Sequence, residues 1–327
     1  MNKRYLGKNK LEVSTIGLGC LGMSEAYGEP NDTESIATVH MALDLGINLF
    51  DTADVYGMGG NEELLGKALR NKRDKAIIST KFGCLLDRNG KIVGVNGKPQ
   101  YVKQACDASL KRLGVEYIDL YFLHRVDRDT PIEETVGGMV KLIKDGKIRH
   151  IGLSEVSAQT LQRANAIYPI TALQNEYSLW TRDAEGEILS TCCSFEIGFI
   201  AYSPLGRGFL TGKIRNLEEL VPHDSRRFRY PRFQTNNLQQ NLTVLKVVEE
   251  ISQEKGCKAS QIALAWVLAQ GGNVVPIPGT KRRKYLQENI EALNIVLTTQ
   301  DINRMNEIAQ TIVGERYTEE IMRRMNQ

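Results

Sequence analysis

The sequence is poor in the features that would commit it to a membrane, a metal or a disulfide framework. None of its apolar runs approaches the ~20 residues that a membrane helix needs. The opening residues, Met1-Asn2-Lys3-Arg4-Tyr5-Leu6-Gly7, lack the apolar core of a secretory leader. The six cysteines, Cys20, Cys84, Cys106, Cys192, Cys193 and Cys257, show no CxxC spacing, which leaves reduced thiols in a cytoplasmic protein as the expectation. The four histidines, His40, His124, His150 and His223, form neither an HxH nor an HExxH pattern, so no metal site is expected. Net charge is only +3, too weak to imply a nucleic-acid partner without a clustered patch. No stretch rich in Pro, Gly or Ser reads as a linker, so one domain is expected over residues 1–327.

What is present is ordinary globular composition, 42% hydrophobic and 25% charged, laid out as a regular alternation. Short apolar runs read as strands at Ser14–Gly19, Ile47–Phe50, Ala76–Thr80, Ile118–Leu123, Ile148–Leu153, Thr171–Leu173, Gly198–Ala201 and Asn273–Val275. Helical patterns follow each, the first from about Asp32, taken as its N-cap, to Leu45. Strands alternating with helices imply parallel pairing. Eight such units in about 300 residues predict a (β/α)8 TIM barrel. Residues 3–13 predict a hairpin that caps the bottom of the barrel. The helix near 299–309 and the tail to Gln327 are extra C-terminal elements. Residues 84–100 read as a glycine-rich loop and 205–234 as a long irregular stretch.

The stretch Gly17-Leu18-Gly19-Cys20-Leu21-Gly22 matches GxGxxG after a strand, with the acid Asp51 closing the next one. In a dinucleotide fingerprint the helix must begin within the glycines so that its N-terminus meets the pyrophosphate. Here Ser24 to Pro30 intervene, with a turn signal at Gly28-Glu29-Pro30. The motif is therefore read as the first barrel strand.

Active residues of such barrels sit at the C-terminal ends of strands. Asp51, Lys81 and His124 end the second, third and fourth strands, and Tyr56 lies in the loop after the second. Each type has a task in reducing a carbonyl. Hydride addition leaves an alkoxide that needs a proton, and a phenol with pKa ~10 donates better when tuned downward. An adjacent ammonium such as Lys81 does this, Asp51 can hold Lys81 in place, and His124 can hydrogen-bond the carbonyl oxygen.

Longer motifs surround these residues: Asn48-Leu49-Phe50-Asp51-Thr52-Ala53-Asp54-Val55-Tyr56-Gly57, Asn61-Glu62-Glu63-Leu64-Leu65-Gly66, Ser79-Thr80-Lys81-Phe82-Gly83, Asp119–His124 and Gly146–Ser154. With them the chain resembles the aldo-keto reductase family from about Leu6 to Ala309. The resemblance implies NADPH as cofactor and the tetrad Asp51, Tyr56, Lys81 and His124. It implies that Gln174 holds the carboxamide, with Ser154 nearby among the cofactor residues, and that Tyr202 stacks on the nicotinamide. It places Ser203, Pro204, Leu205, Gly206, Arg207 and Gly208 along the pyrophosphate. It sets Lys281, after Gly279 and Thr280, at the 2′-phosphate, and Glu288 and Asn289 at the adenine. Positive charge at a helix N-terminus suits such a phosphate.

One departure is Glu155, which stands where many members have Asn and cannot donate to a carboxamide oxygen; it is not counted as a site residue. The substrate, a small carbonyl compound, is not legible; loops 84–100 and 205–234, with Trp180 and Met23, are expected to shape its pocket. Potassium-channel β subunits look similar to this fold, retain the cofactor and act mainly as partners, which is the alternative the resemblance carries.

Overall fold

The computed structural model describes residues 1–24, 26–222 and 224–322; His223 and the end of the predicted C-terminal tail lie outside the described residues. In chain order the strands are β1 (Lys3–Leu6), β2 (Leu11–Ser14), β3 (Leu18–Gly19), β4 (Leu49–Asp51), β5 (Ile77–Phe82), β6 (Cys84–Leu86), β7 (Ile92–Val95), β8 (Ile118–Leu123), β9 (Ile148–Ser154), β10 (Ala172–Glu176), β11 (Gly198–Tyr202) and β12 (Val274–Pro276). The helices are α1 (Asp32–Asp44), α2 (Gly60–Leu69), α3 (Pro99–Leu113), α4 (Ile132–Lys144), α5 (Ala158–Ile167), α6 (Glu187–Ser194), α7 (Thr235–Glu254), α8 (Ala259–Leu268), α9 (Arg283–Glu291), α10 (Thr299–Ala309) and α11 (Glu319–Met322).

Eight strands pair in parallel in the order β3-β4-β5-β8-β9-β10-β11-β12. The two ends of this sheet meet: the Gly17 and Gly19 amides donate to the carbonyls of Pro276 (2.9 Å) and Pro278 (3.3 Å). The predicted (β/α)8 barrel is thus what the chain forms. The glycines of the GxGxxG stretch serve that closure. A Cβ on Gly19 would come 2.8 Å from the Ile277 carbonyl oxygen, and one on Gly17 would come 2.9 Å from the Ile277 side chain. The predicted strand Ser14–Gly19 is split, because Ser14 belongs to the hairpin and only Leu18–Gly19 pair in the barrel. The cap of α1 also shifts by one residue: Asn31, not Asp32, accepts from the Glu34 amide at 2.9 Å.

β8 is buried along its whole length, as expected for a strand covered on both faces. The hairpin β1–β2 closes the bottom. Leu6 and Val13 join Leu49, Leu120, Phe122, Ala172, Ile200, Val275 and Ile277 in one cluster inside the barrel. Gly152 makes room there, since a Cβ would lie 2.3 Å from the Phe122 ring. A second apolar core lies between strands and helices. No described helix is long and apolar enough to cross a membrane.

The reading of 84–100 as a loop needs correction. It contains the antiparallel pair β6–β7, with Cys84 opposite Val95. Its short strands carry little periodicity, which hid them. The stretch 205–234 is irregular as expected, a series of single 3-10 turns.

Candidate functional site

Strand register assembles the site. β4 pairs with β5 so that Asp51 lies beside Ser79, and β9 pairs with β10 so that Ser154 lies beside Gln174. Lys81, fully buried on β5, donates to Asp51 Oδ2 at 2.6 Å and to the Thr52 carbonyl at 2.7 Å. Asp51 Oδ1 accepts from the Ser79 hydroxyl (2.9 Å) and from Gln174 Nε2 (2.8 Å). The Lys81 ammonium lies 5.1 Å from the centre of the Tyr56 ring. The Tyr56 and His124 rings meet edge-on with centroids 6.0 Å apart. All four sequence-predicted tetrad residues therefore converge at the C-terminal mouth of β4, β5 and β8.

Burial sets their ionisation. It pulls the Lys81 pKa below its ordinary value, against the opposing pull of Asp51. Burial, reinforced by Arg125 and Lys81, holds His124 far below the usual imidazole range, so the ring is neutral near pH 7. Its Nδ1 is buried with no hydrogen-bond partner among the described residues. This ring stands ready for a polar ligand atom.

The loop carrying Tyr56 is braced by residues the sequence reading quoted only as motif. Buried Asn61 accepts from Thr52 Oγ1 (2.7 Å) and donates to the Cys20 carbonyl (2.9 Å). Buried Glu62 accepts from Thr80 Oγ1 and from Arg112 Nε, both at 2.6 Å. Gly57, Met58 and Gly59, directly after Tyr56, all have positive φ. The sequence signal for these braces was their position at the start of the helix after the tyrosine loop.

The residues assigned to a cofactor fall into two groups. Tyr202 ends β11, and the chain then passes through left-handed residues at Ser203, Gly206, Arg207 and Gly208. Such a run turns backbone amides toward one side and suits an anion. Gly206 lets this turn sit on Trp180, whose ring a Cβ would approach to 2.6 Å. Trp180 itself packs on Phe209 with centroids 3.8 Å apart. Trp180 and Met23, expected to shape the substrate pocket, are both buried, and Trp180 supports the turn. Arg207 pairs with Glu176 on β10 (2.7 Å) and stacks on Tyr230 (4.2 Å).

The second group lies at the start of α9. The Thr280 hydroxyl accepts from the Arg282 amide at 3.1 Å. Lys281 Nζ donates to the Tyr27 carbonyl at 2.8 Å, which ties the loop before α1 to this end of the barrel. Its pKa is lowered by burial and by Arg282. Arg283 is committed to Glu34, so it adds less to a phosphate site than the sequence cluster suggests. Glu288 pairs with Lys258 at 2.8 Å, and Asn289 is buried. The donor set, a left-handed backbone turn and a cationic helix start on neighbouring strand ends, fits a nicotinamide dinucleotide.

Glu155, set aside in the sequence reading, is a structural centre. It holds a positive φ. Its carboxylate takes both Arg316 nitrogens (2.9 and 2.7 Å), the Glu176 amide (2.9 Å) and the Tyr202 hydroxyl (2.9 Å). Burial alone would raise its pKa, but Arg316 outweighs burial and lowers it. The Tyr202 hydroxyl also contacts that of Tyr317 at 3.2 Å. The segment after α10 thus reaches back into the barrel mouth, a contact between residues 161 positions apart that no local pattern announces.

An eight-stranded parallel barrel with an acid, an ammonium, a phenol and a neutral imidazole at its mouth defines an enzyme-type barrel. Residues 15–310 match the sequence profile of the Aldo/keto reductase family. The chain belongs to that family and is an oxidoreductase. It is 47% identical over 316 residues to Probable aldo-keto reductase 1 of Glycine max, covering 95% of this chain and 90% of that one. Among solved structures it is similar to the glycerol dehydrogenase of Gluconobacter oxydans, with TM-score 0.85, 31% identity and 97% and 98% of the two chains covered. It is also similar to a thermostable aldo-keto reductase in complex with the inhibitor epalrestat, with TM-score 0.74, 28% identity and 94% and 100% covered.

Proposed function

We propose that the chain, acting as one barrel domain, reduces an aldehyde or ketone with NADPH, Tyr56 being the proton donor. The carrying observation is the buried chain Asp51–Lys81–Tyr56, with the ammonium 2.6 Å from the carboxylate and 5.1 Å from the phenol ring centre. When bound, the nicotinamide cofactor supplies the hydride. Gln174 and Ser154 would hold its carboxamide, Tyr202 its ring, the Ser203–Gly208 turn its pyrophosphate, and Lys281 with Glu288 and Asn289 its adenosine phosphate end. Lys281 and its cationic neighbours favour NADPH over NADH.

The chain's own groups do the proton work. Asp51, anchored by Ser79 and Gln174, keeps the ammonium of Lys81 in place despite burial. That ammonium stabilises negative charge on the Tyr56 oxygen as its proton leaves for the alkoxide. Neutral His124 donates a hydrogen bond to the carbonyl oxygen and orients it.

The test is turnover with NADPH and NADH against 4-nitrobenzaldehyde and methylglyoxal, with Tyr56→Phe alongside. The phenylalanine variant should bind cofactor yet lose about 10²–10⁴-fold in rate. Full rate in that variant refutes the mechanism. Tight NADPH binding without turnover across a carbonyl panel would point to a partner role like that of the channel β subunits.

A further inference from the structure

Arg125 follows His124 immediately and lies at the same strand end. Its Nη1 donates to the His124 carbonyl and to Ser154 Oγ (3.3 Å), so it spans the ends of β8 and β9. Nothing else holds it: among the described residues it has no ion-pair partner. This sets it apart from the other guanidiniums of the barrel mouth. Arg207 is matched by Glu176, and Arg316 by Glu155 and Asp183. The nearby Glu155 carboxylate is engaged by Arg316, the Glu176 amide and Tyr202 and forms no ion pair with Arg125.

A half-buried guanidinium with three N–H groups uncommitted, beside the ring that would orient a carbonyl, has donors left for a ligand. Burial works against its charge, but Tyr202 and Glu155 at longer range outweigh burial and hold its pKa above the ordinary value, so it stays charged. Its planar fork matches a carboxylate or phosphate bidentately. The His124 backbone carbonyl and Ser154 fix its plane at the edge of the site.

We propose that Arg125 is a specificity-determining residue that takes an oxyanion group of the substrate. The preferred substrates are then aldehydes or ketones that carry a carboxylate or phosphate within a few bonds of the carbonyl. This rests on the carbonyl-reductase reading above. The oxyanion would anchor on Arg125 while the carbonyl oxygen lies between Tyr56 and His124. The group next to the catalytic imidazole would thereby select among carbonyl compounds.

The experiment compares matched pairs on the intact protein with NADPH: glyoxylate against glycolaldehyde, and glyceraldehyde 3-phosphate against glyceraldehyde. The wild type should favour the anionic member of at least one pair in kcat/KM, and which pair it favours tells carboxylate from phosphate. In Arg125→Met the anionic-to-neutral ratio should fall about 100-fold, ~2.7 kcal/mol at ~1.36 kcal/mol per tenfold. The loss should sit mainly in KM. Arg125→Lys, which keeps charge but not the fork, should recover part of it. The ratio is taken within one preparation, so a partly folded variant does not distort it. Neutral carbonyls turned over by the wild type with no anionic preference would overturn the proposal and leave the reductase reading standing. So would an Arg125→Met ratio equal to wild type together with weakened NADPH binding in the absence of substrate, which would make Arg125 a cofactor residue.

Discussion

Removing Arg316 tests the buried network at the barrel mouth. Arg316 and Glu155 are each 2% exposed, and their two short contacts are backed by Tyr202 and by the Glu176 amide. In Arg316→Met the apolar stem is kept and the charge is lost, leaving Glu155 ionised without its main partner. Breaking one side of a buried pair costs ~3–5 kcal/mol. At ~2.1 cal/mol/K per residue, a ~4 kcal/mol loss in a chain this long lowers the thermal midpoint by about 6 °C. The companion is Arg316→Met with Glu155→Gln. Glutamine keeps an acceptor for Tyr202 and for the Glu176 amide, so the double variant should regain ~2 kcal/mol over the single one. Urea and thermal unfolding of the wild type, both singles and the double form the cycle. A loss under ~1 kcal/mol in Arg316→Met, or no coupling in the cycle, would refute the claim that this pair docks the C-terminal segment onto the barrel.

Two further perturbations probe other parts of the structure. Burial, and then Glu62, push the Asp54 carboxyl up to about 7, and its Oδ1 has no partner among the described residues. Between the unfolded value near ~3.9 and about 7 the folded protein holds a proton that the unfolded chain has released, so stability is lost as pH rises through that window. Asp54→Asn should therefore stabilise more at pH ~8 than at pH ~5, by on the order of 2 kcal/mol; equal gains at both pH values would contradict the assignment. Gly66 on α2 meets the end of α3 so closely that a Cβ would lie 2.3 Å from the Leu113 carbonyl oxygen. Gly66→Ala should cost ~1–3 kcal/mol by denaturant unfolding although alanine is the better helix former; a stabilised variant would show that the helices part freely.

Much of the architecture is legible along the chain because it is periodic. Buried strands such as β8 read as continuous apolar runs, and the start of α1 could be placed to within one residue, Asn31 rather than Asp32 being the cap. The ends of β4, β5 and β8 could be located from those runs, and Asp51, Lys81 and His124 stood out as polar residues where apolar runs stop. Tyr56 became legible beside them. The pair β6–β7 was not: its strands are only three and four residues long, too short to show alternation, and they pair with each other outside the barrel, so the strand–helix rhythm does not announce them.

What the sequence by itself determined is the order and parallel sense of the strands and the chemical types at their ends. Those follow from local periodicity, and a parallel barrel places strand ends on one face whatever the helices between them contain. What only the tertiary structure decided is which charges meet. Glu155 read as a departure from a pattern until Arg316, 161 residues later, closed on it, and nothing along the chain singled out Arg125, whose contacts reach from the end of β8 to Ser154 on β9. Charge pairing across a barrel mouth depends on distances between strand ends and a returning tail, and no spacing along the chain encodes them.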